Sequence, residues 1–199
     1  MFSKKLTETV FAILLGFLLY KHVLHKESPI VTETTPSTEG AFVFEGEITK
    51  QSVDVLISKI RKDKIGTVIM SSPGGDMDEG LRLAQFVYEN NIIVKVNSYC
   101  HSACTIAFFS SKNRQMGEDA IIGLHNITVT VSENSRDKRI TLKEATDIAN
   151  EAVVTSARVI AFYASVGIPA KDLSKIAMKQ GDSILVYNYS DMKRLGFIK

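Results

Sequence analysis

From Ala41 onward, short apolar runs alternate with segments whose apolar residues return every three or four positions, and this alternation limits the fold more than any other feature. Ala41 to Phe44 reads as a strand, and Val53, Leu56, Ile57 and Ile60 mark a helix behind it. Thr67 to Ser71 is a second strand, followed by a helix with Met77, Leu81, Ala84, Val87 and Tyr88 on one side. Asp76 is placed to cap that helix, with Glu79 as its capping-box partner. Ile92 to Val96 gives a third strand, Ala103 to Phe109 a buried helix, and Ala120 to Val131 a strand with alternating faces. A second box, Thr141 with Glu144, opens a long helix that Gly167 and Pro169 close. Its apolar side carries Ala145, Ile148, Ala149, Ala152, Val153 and Ile160 and is expected to pack within its own domain, with a subunit contact as the alternative. Ile184 to Tyr187 is a last short strand, and Ser190 to Leu195 a last helical turn. The repeated strand-then-helix order predicts an α/β domain with a largely parallel sheet covered by helices.

The segment before this domain is different. Lys4 and Lys5 precede an unbroken apolar run from Val10 to Tyr20, after which Lys21, His22, His25 and Lys26 return the chain to water. The run is short for a span, which needs about 20 residues, so a membrane helix would recruit Leu6 and Leu24. Tyr20, Lys21, His22 and Val23 are too bulky for a signal cleavage site, which favours an uncleaved anchor over 1–26. Residues 27–40 mix Ser, Thr, Pro and Glu and read as a flexible linker, leaving 41–199 as the folded domain. A short basic N-terminus stays in the cytoplasm, which puts the domain outside it, or secretes it if the segment is cleaved. Lys+Arg 24 against Asp+Glu 22 leaves a net charge of +2, with no basic stripe to suggest a nucleic-acid partner.

Three places carry residues suited to acyl transfer. Ser72-Pro73-Gly74-Gly75 ends a strand and starts a helix, where glycines let backbone N–H groups turn toward an anion. Ser102 lies at the start of the buried helix within Tyr99-Cys100-His101-Ser102-Ala103-Cys104, where the helix field favours an oxyanion formed on attack; helix capping is its ordinary role. His125 lies in the strand from Ile121, where most histidines are structural. Yet His22 and His25 belong to the N-terminal segment, and His101 points away from its neighbour Ser102. Only His125 is free to serve Ser102 as a base.

Taken in order, Ser72-Pro73-Gly74-Gly75, the elbow with Ser102, Arg114 and Gly123-Leu124-His125 resemble the proteolytic-subunit family of Clp protease in the ClpP/crotonase superfamily. The match runs from Phe42 to Ile198, and the Cys-x-Ser-Ala-Cys elbow is most similar to the superfamily's membrane-anchored or periplasmic branch. The resemblance implies repeated β-β-α and β-α units. It also implies a serine hydrolase site, with Ser102 the nucleophile, His125 the general base, and the N–H groups of Gly75 and Ala103 the oxyanion hole. The family's acidic residue falls on Ile184 in an ungapped match, and the nearest carboxylate is Asp182. Either a shift of that loop brings Asp182 to His125, or the site is a Ser-His dyad whose imidazole is oriented by a backbone carbonyl or water. Cys100 and Cys104 flank the serine where better-known members have small residues. They form either a disulfide that rigidifies the elbow or two buried thiols, with a metal site of Cys100, Cys104, His101 and His125 ranking below both.

The expected function is a membrane-tethered serine peptidase acting on peptides or unfolded protein outside the cytoplasm, at a bacterial inner membrane. It would need no cofactor, and the resemblance implies a homo-oligomer. A catalytically silent binding or assembly module is the alternative, and an acyl-CoA enzyme using the same N–H pair comes last. The Gly74-Gly75 turn lacks the Lys and Ser/Thr of a P-loop, so nucleotide chemistry is not expected on this chain.

Overall fold

A computed structural model of the chain describes residues 40–127, 141–179 and 183–199. The segments assigned above to an anchor and most of the linker lie outside these residues, and so do residues 128–131 and Asp182. Among the described residues no helix is long and apolar enough to cross a membrane.

The first half alternates as expected: β1 (Ala41–Glu45), α1 (Lys50–Asp63), β2 (Thr67–Ser72), α2 (Met77–Glu89), β3 (Ile93–His101) and α3 (Ala103–Ser110). Then come β4 (Gln115–Met116), β5 (Ile121–Leu124), α4 (Leu142–Ser165), α5 (Ala170–Met178), β6 (Leu185–Asn188) and α6 (Tyr189–Arg194). The strands lie in the order β1-β2-β3-β5-β6, with β4 also on β3. All neighbours are parallel except β5 and β6. Alternate strand residues (Phe44, Val68, Met70, Val94, Val96, Ile122, Leu124) enter one core with the apolar residues of α1, α2 and α3. This is the period-2 pattern of a sheet whose helix-covered face is buried. The helix α3 is buried on every side from Ala103 to Phe109, which its sequence, apolar but for Thr105, dictates. Gly80 lets α2 close on it, since a β-carbon there would stand 2.9 Å from that of Ala103.

Several local expectations are corrected. The strand expected over Ala120 to Val131 stops at Leu124, where its antiparallel partner ends at Leu185 and Asn126 N–H turns to the Lys179 carbonyl. The strand expected to end at Val96 runs on to His101, because β5 supplies a second set of partners for Tyr99, Cys100 and His101. The long helix does close before Gly167 (φ 92°) and Pro169, at Ser165, but Pro169 also stands at the N-cap of a further helix, α5, that the periodicity did not mark. Asp76 caps α2 through the Glu79 N–H, whereas both halves of the Thr141–Glu144 box form. The long helix α4 departs most from expectation. Only Val159 and Tyr163, in its second half, are buried, while Leu142, Ile148, Val153 and Val154 face solvent.

Candidate active site

Where β3 runs beside β2 the register slips: Met70 pairs with Val96, but Ser72 pairs with Cys100. Two extra residues in β3 therefore carry its end up to the Ser72-Gly75 turn. That turn is fastened from the other side, by Ile48 N–H to the Gly74 carbonyl (2.7 Å) and Asp76 N–H to the Ile48 carbonyl (2.8 Å). Both glycines have positive φ, 99° and 141°, which only glycine adopts freely. A β-carbon on Gly74 would lie 2.6 Å from the β-carbon of Ser102 and 3.1 Å from the Ala103 nitrogen, so turn and elbow are in direct contact. Gly75 and Ala103 donate no turn, loop or side-chain hydrogen bond among the described residues, and Ala103 opens α3, where N–H groups lack intrahelical acceptors.

Ser102 is a sharp elbow between β3 and α3, with φ 53° and ψ −127°. Its ordinary role as a capping residue is overturned, because the side chain makes no capping hydrogen bond. The residue is instead half-buried at the head of the helix. The backbone is held on both sides: Ser102 N–H donates to the Gly123 carbonyl (2.9 Å), and the Ser102 carbonyl accepts from the Thr105 N–H (2.9 Å).

His125 stands just beyond β5, two residues past Gly123, which pairs with His101. Adjacent parallel strands thus deliver Ser102 and His125 to the same end of the sheet, where open α/β sheets place their sites. The His125 Nδ1 is hydrogen-bonded to the Asn126 carbonyl. A carbonyl only accepts, so Nδ1 carries the proton and Nε2 is left as the basic nitrogen. Asn126, which sequence reasoning missed, is buried and ties this segment to α4 and α5 through Ser156 Oγ (2.7 Å) and the Ala177 carbonyl (3.2 Å). The Asp182 assigned to complete a triad lies outside the described residues, and the backbone carbonyl occupies the orienting position at Nδ1.

The thiol alternative and the metal alternative are both overturned. Cys100 and Cys104 form a disulfide, Cα to Cα 5.4 Å, with both residues fully buried. The sulfurs therefore offer no thiolate to a metal, and no cluster of three or more potential ligands occurs among the described residues. His101 is on the outer face of β3 against Tyr99, with ring centroids 5.3 Å apart. Burial, and then the charge of His125, hold its pKa below the ordinary value, so it stays neutral beside the site. Arg114 is half-buried and donates to the Ser111 carbonyl (3.0 Å), away from the serine. A cavity of about 810 Å³ opens elsewhere, between Lys95, Arg114 and Phe197, and includes neither Ser102 nor His125.

No protein-family model matches the sequence, and none of the curated proteins matches it significantly. Among solved structures it is similar to a ClpP1 point mutant from Listeria monocytogenes, with a TM-score of 0.60 at 17% identity, covering 79% of this chain and 88% of that one. The fold is therefore ClpP-like: a mixed α/β domain with a largely parallel sheet covered by helices.

Proposed function

We propose that the protein is a serine peptidase whose nucleophile is Ser102. The observation that carries this reading is the positive-φ serine elbow set against a Gly74-Gly75 turn, at the same end of the sheet as a histidine whose Nδ1 is held by a backbone carbonyl. In the reaction, His125 Nε2 takes the Ser102 hydroxyl proton as Oγ attacks the scissile carbonyl carbon. The N–H groups of Gly75 and Ala103 receive the oxyanion, in a place where fixed donors supply about 3 kcal/mol each. His125 then passes the proton to the leaving amine, and water activated by the same imidazole releases the acyl group from Ser102. The Asn126 carbonyl orients the imidazole in place of a carboxylate, which makes the site a dyad and a slower catalyst than a full triad.

Other parts of this reading rest on separate observations. The buried disulfide favours an oxidising compartment, and with the apolar run from Val10 to Tyr20 it supports a membrane-tethered domain on the extracytoplasmic side. The exposed apolar residues of α4 support a homo-oligomer built through that helix. The substrate class is peptide or unfolded protein.

The test is labelling of the detergent-solubilised full chain by a fluorophosphonate probe, read by intact mass. A single adduct that is absent in Ser102→Ala and at least about tenfold slower in His125→Ala is the expected result. A folded wild-type protein that takes up no probe would leave a silent binding module as the better reading.

A further inference from the structure

The carbonyl of Ser102 has a second donor besides the Thr105 N–H. Thr105 Oγ1 reaches it at 2.6 Å, and the same oxygen lies 2.7 Å from the hydroxyl of Tyr163, on the buried half of α4. Both Thr105 and Tyr163 are 0% exposed. A threonine hydroxyl has one proton, and a carbonyl only accepts, so that proton goes to Ser102 and Tyr163 must supply its own to Thr105 Oγ1. The direction is therefore fixed from α4 inward: Tyr163 O–H to Thr105 O–H to the Ser102 carbonyl. Burial pushes the Tyr163 pKa up to about 12, which keeps the donor proton in place.

That carbonyl belongs to the same rigid plane as the Ala103 N–H, and the two point in opposite directions. Ser102 holds φ 53° and ψ −127°, a conformation a non-glycine residue keeps only when its surroundings enforce it. Rotation of the 102–103 peptide would relieve the elbow and turn the Ala103 N–H out of the site. We infer that Thr105 and Tyr163 are positioning residues that lock this peptide and so aim the Ala103 N–H at the developing oxyanion. The inference rests on the peptidase reading above. It also makes α4, whose other half is exposed, the source of the constraint on the site.

The experiment measures the concentration dependence of fluorophosphonate labelling on the full chain in detergent, whose phosphonyl oxygen uses the same N–H donors. Tyr163→Phe and Thr105→Val are expected to lower the maximal labelling rate about tenfold or more, with the half-saturating probe concentration unchanged. Thr105→Ser, which keeps the hydroxyl, is expected to restore most of the rate, and Tyr163→Phe with Thr105→Val to be no slower than Thr105→Val alone. Should Thr105→Val not fold, Tyr163→Phe decides, since it deletes one oxygen and keeps the ring. Wild-type rates in a folded Tyr163→Phe protein, or a loss in Thr105→Ser as large as in Thr105→Val, would overturn the relay and leave the peptidase reading standing. A wild-type protein that takes up no probe at Ser102 would overturn both.

Discussion

Gly74 lies so close to Ser102 that a β-carbon on it would stand 2.6 Å from the serine's own, nearer than such atoms approach. The turn and the elbow therefore hold each other's position, and Gly74→Ala has nowhere to put its methyl group. With φ at 99° the substitution is strained as well. It is expected to destabilise the fold by about 2 kcal/mol and to slow fluorophosphonate labelling of Ser102 more than about tenfold. Paired denaturant melts and labelling rates check this; an unchanged labelling rate would separate the turn from the oxyanion site.

The Cys100–Cys104 disulfide closes a loop around the elbow with both cysteines inaccessible to solvent. A reductant should fail to reach it in the native protein, and reduce it, with a mass gain of about 2 Da, only after denaturant opens the core. Replacing both cysteines by alanine removes a small closed loop from the unfolded chain, which in the loop-entropy account costs about 2 kcal/mol. A Tm lower by roughly 5 °C is expected from a domain of this size. Rapid reduction without denaturant would show that the elbow opens on its own.

Alkaline pH should weaken the fold through Tyr163. Its folded pKa, pushed by burial to about 12, lies above the ordinary 10.0 of an unfolded tyrosine. Below about pH 10 neither state loses the proton and stability is complete. Between about pH 10 and 12 the unfolded chain releases it while the native state keeps it, so stability falls with rising pH, by an amount on the order of 2 kcal/mol. Tyr187 is shifted the same way, by burial and then by its bond to Asp172, so part of the decline remains without Tyr163. Denaturant melts from about pH 8 to 12 on wild type and Tyr163→Phe should therefore give a shallower slope in the variant. Equal slopes would place the tyrosine in contact with water.

Val153 and Val154 are 68% and 55% exposed in the middle of a helix that carries apolar residues left uncovered among the described residues. Changing both to Glu should dissociate a homo-oligomer while leaving the circular dichroism spectrum intact. Light scattering in detergent measures this. A wild-type protein that is monomeric at every working concentration would remove α4 as an assembly helix.

The sequence by itself determined the alternating α/β order, the capping of α4 by Thr141 and Glu144, the all-round burial of α3 and the glycine turn after β2. Each of these depends on patterns within roughly fifteen residues, the range over which helix and strand periods can be read. Side-chain periodicity also marked the apolar residues of α4, but it states which face could be covered and not whether this chain supplies the cover. What only the tertiary structure decided joins residues with no local signal between them. The slip between β2 and β3 set Cys100 beside Ser72, and the pairing of β3 with β5 brought His125 to the end of the sheet that holds Ser102. The elbow geometry closed the disulfide that sequence left open, and Thr105 met a tyrosine 58 positions away. Such contacts arise from how whole elements stack around the core, and their energies depend on distances the order of residues does not state.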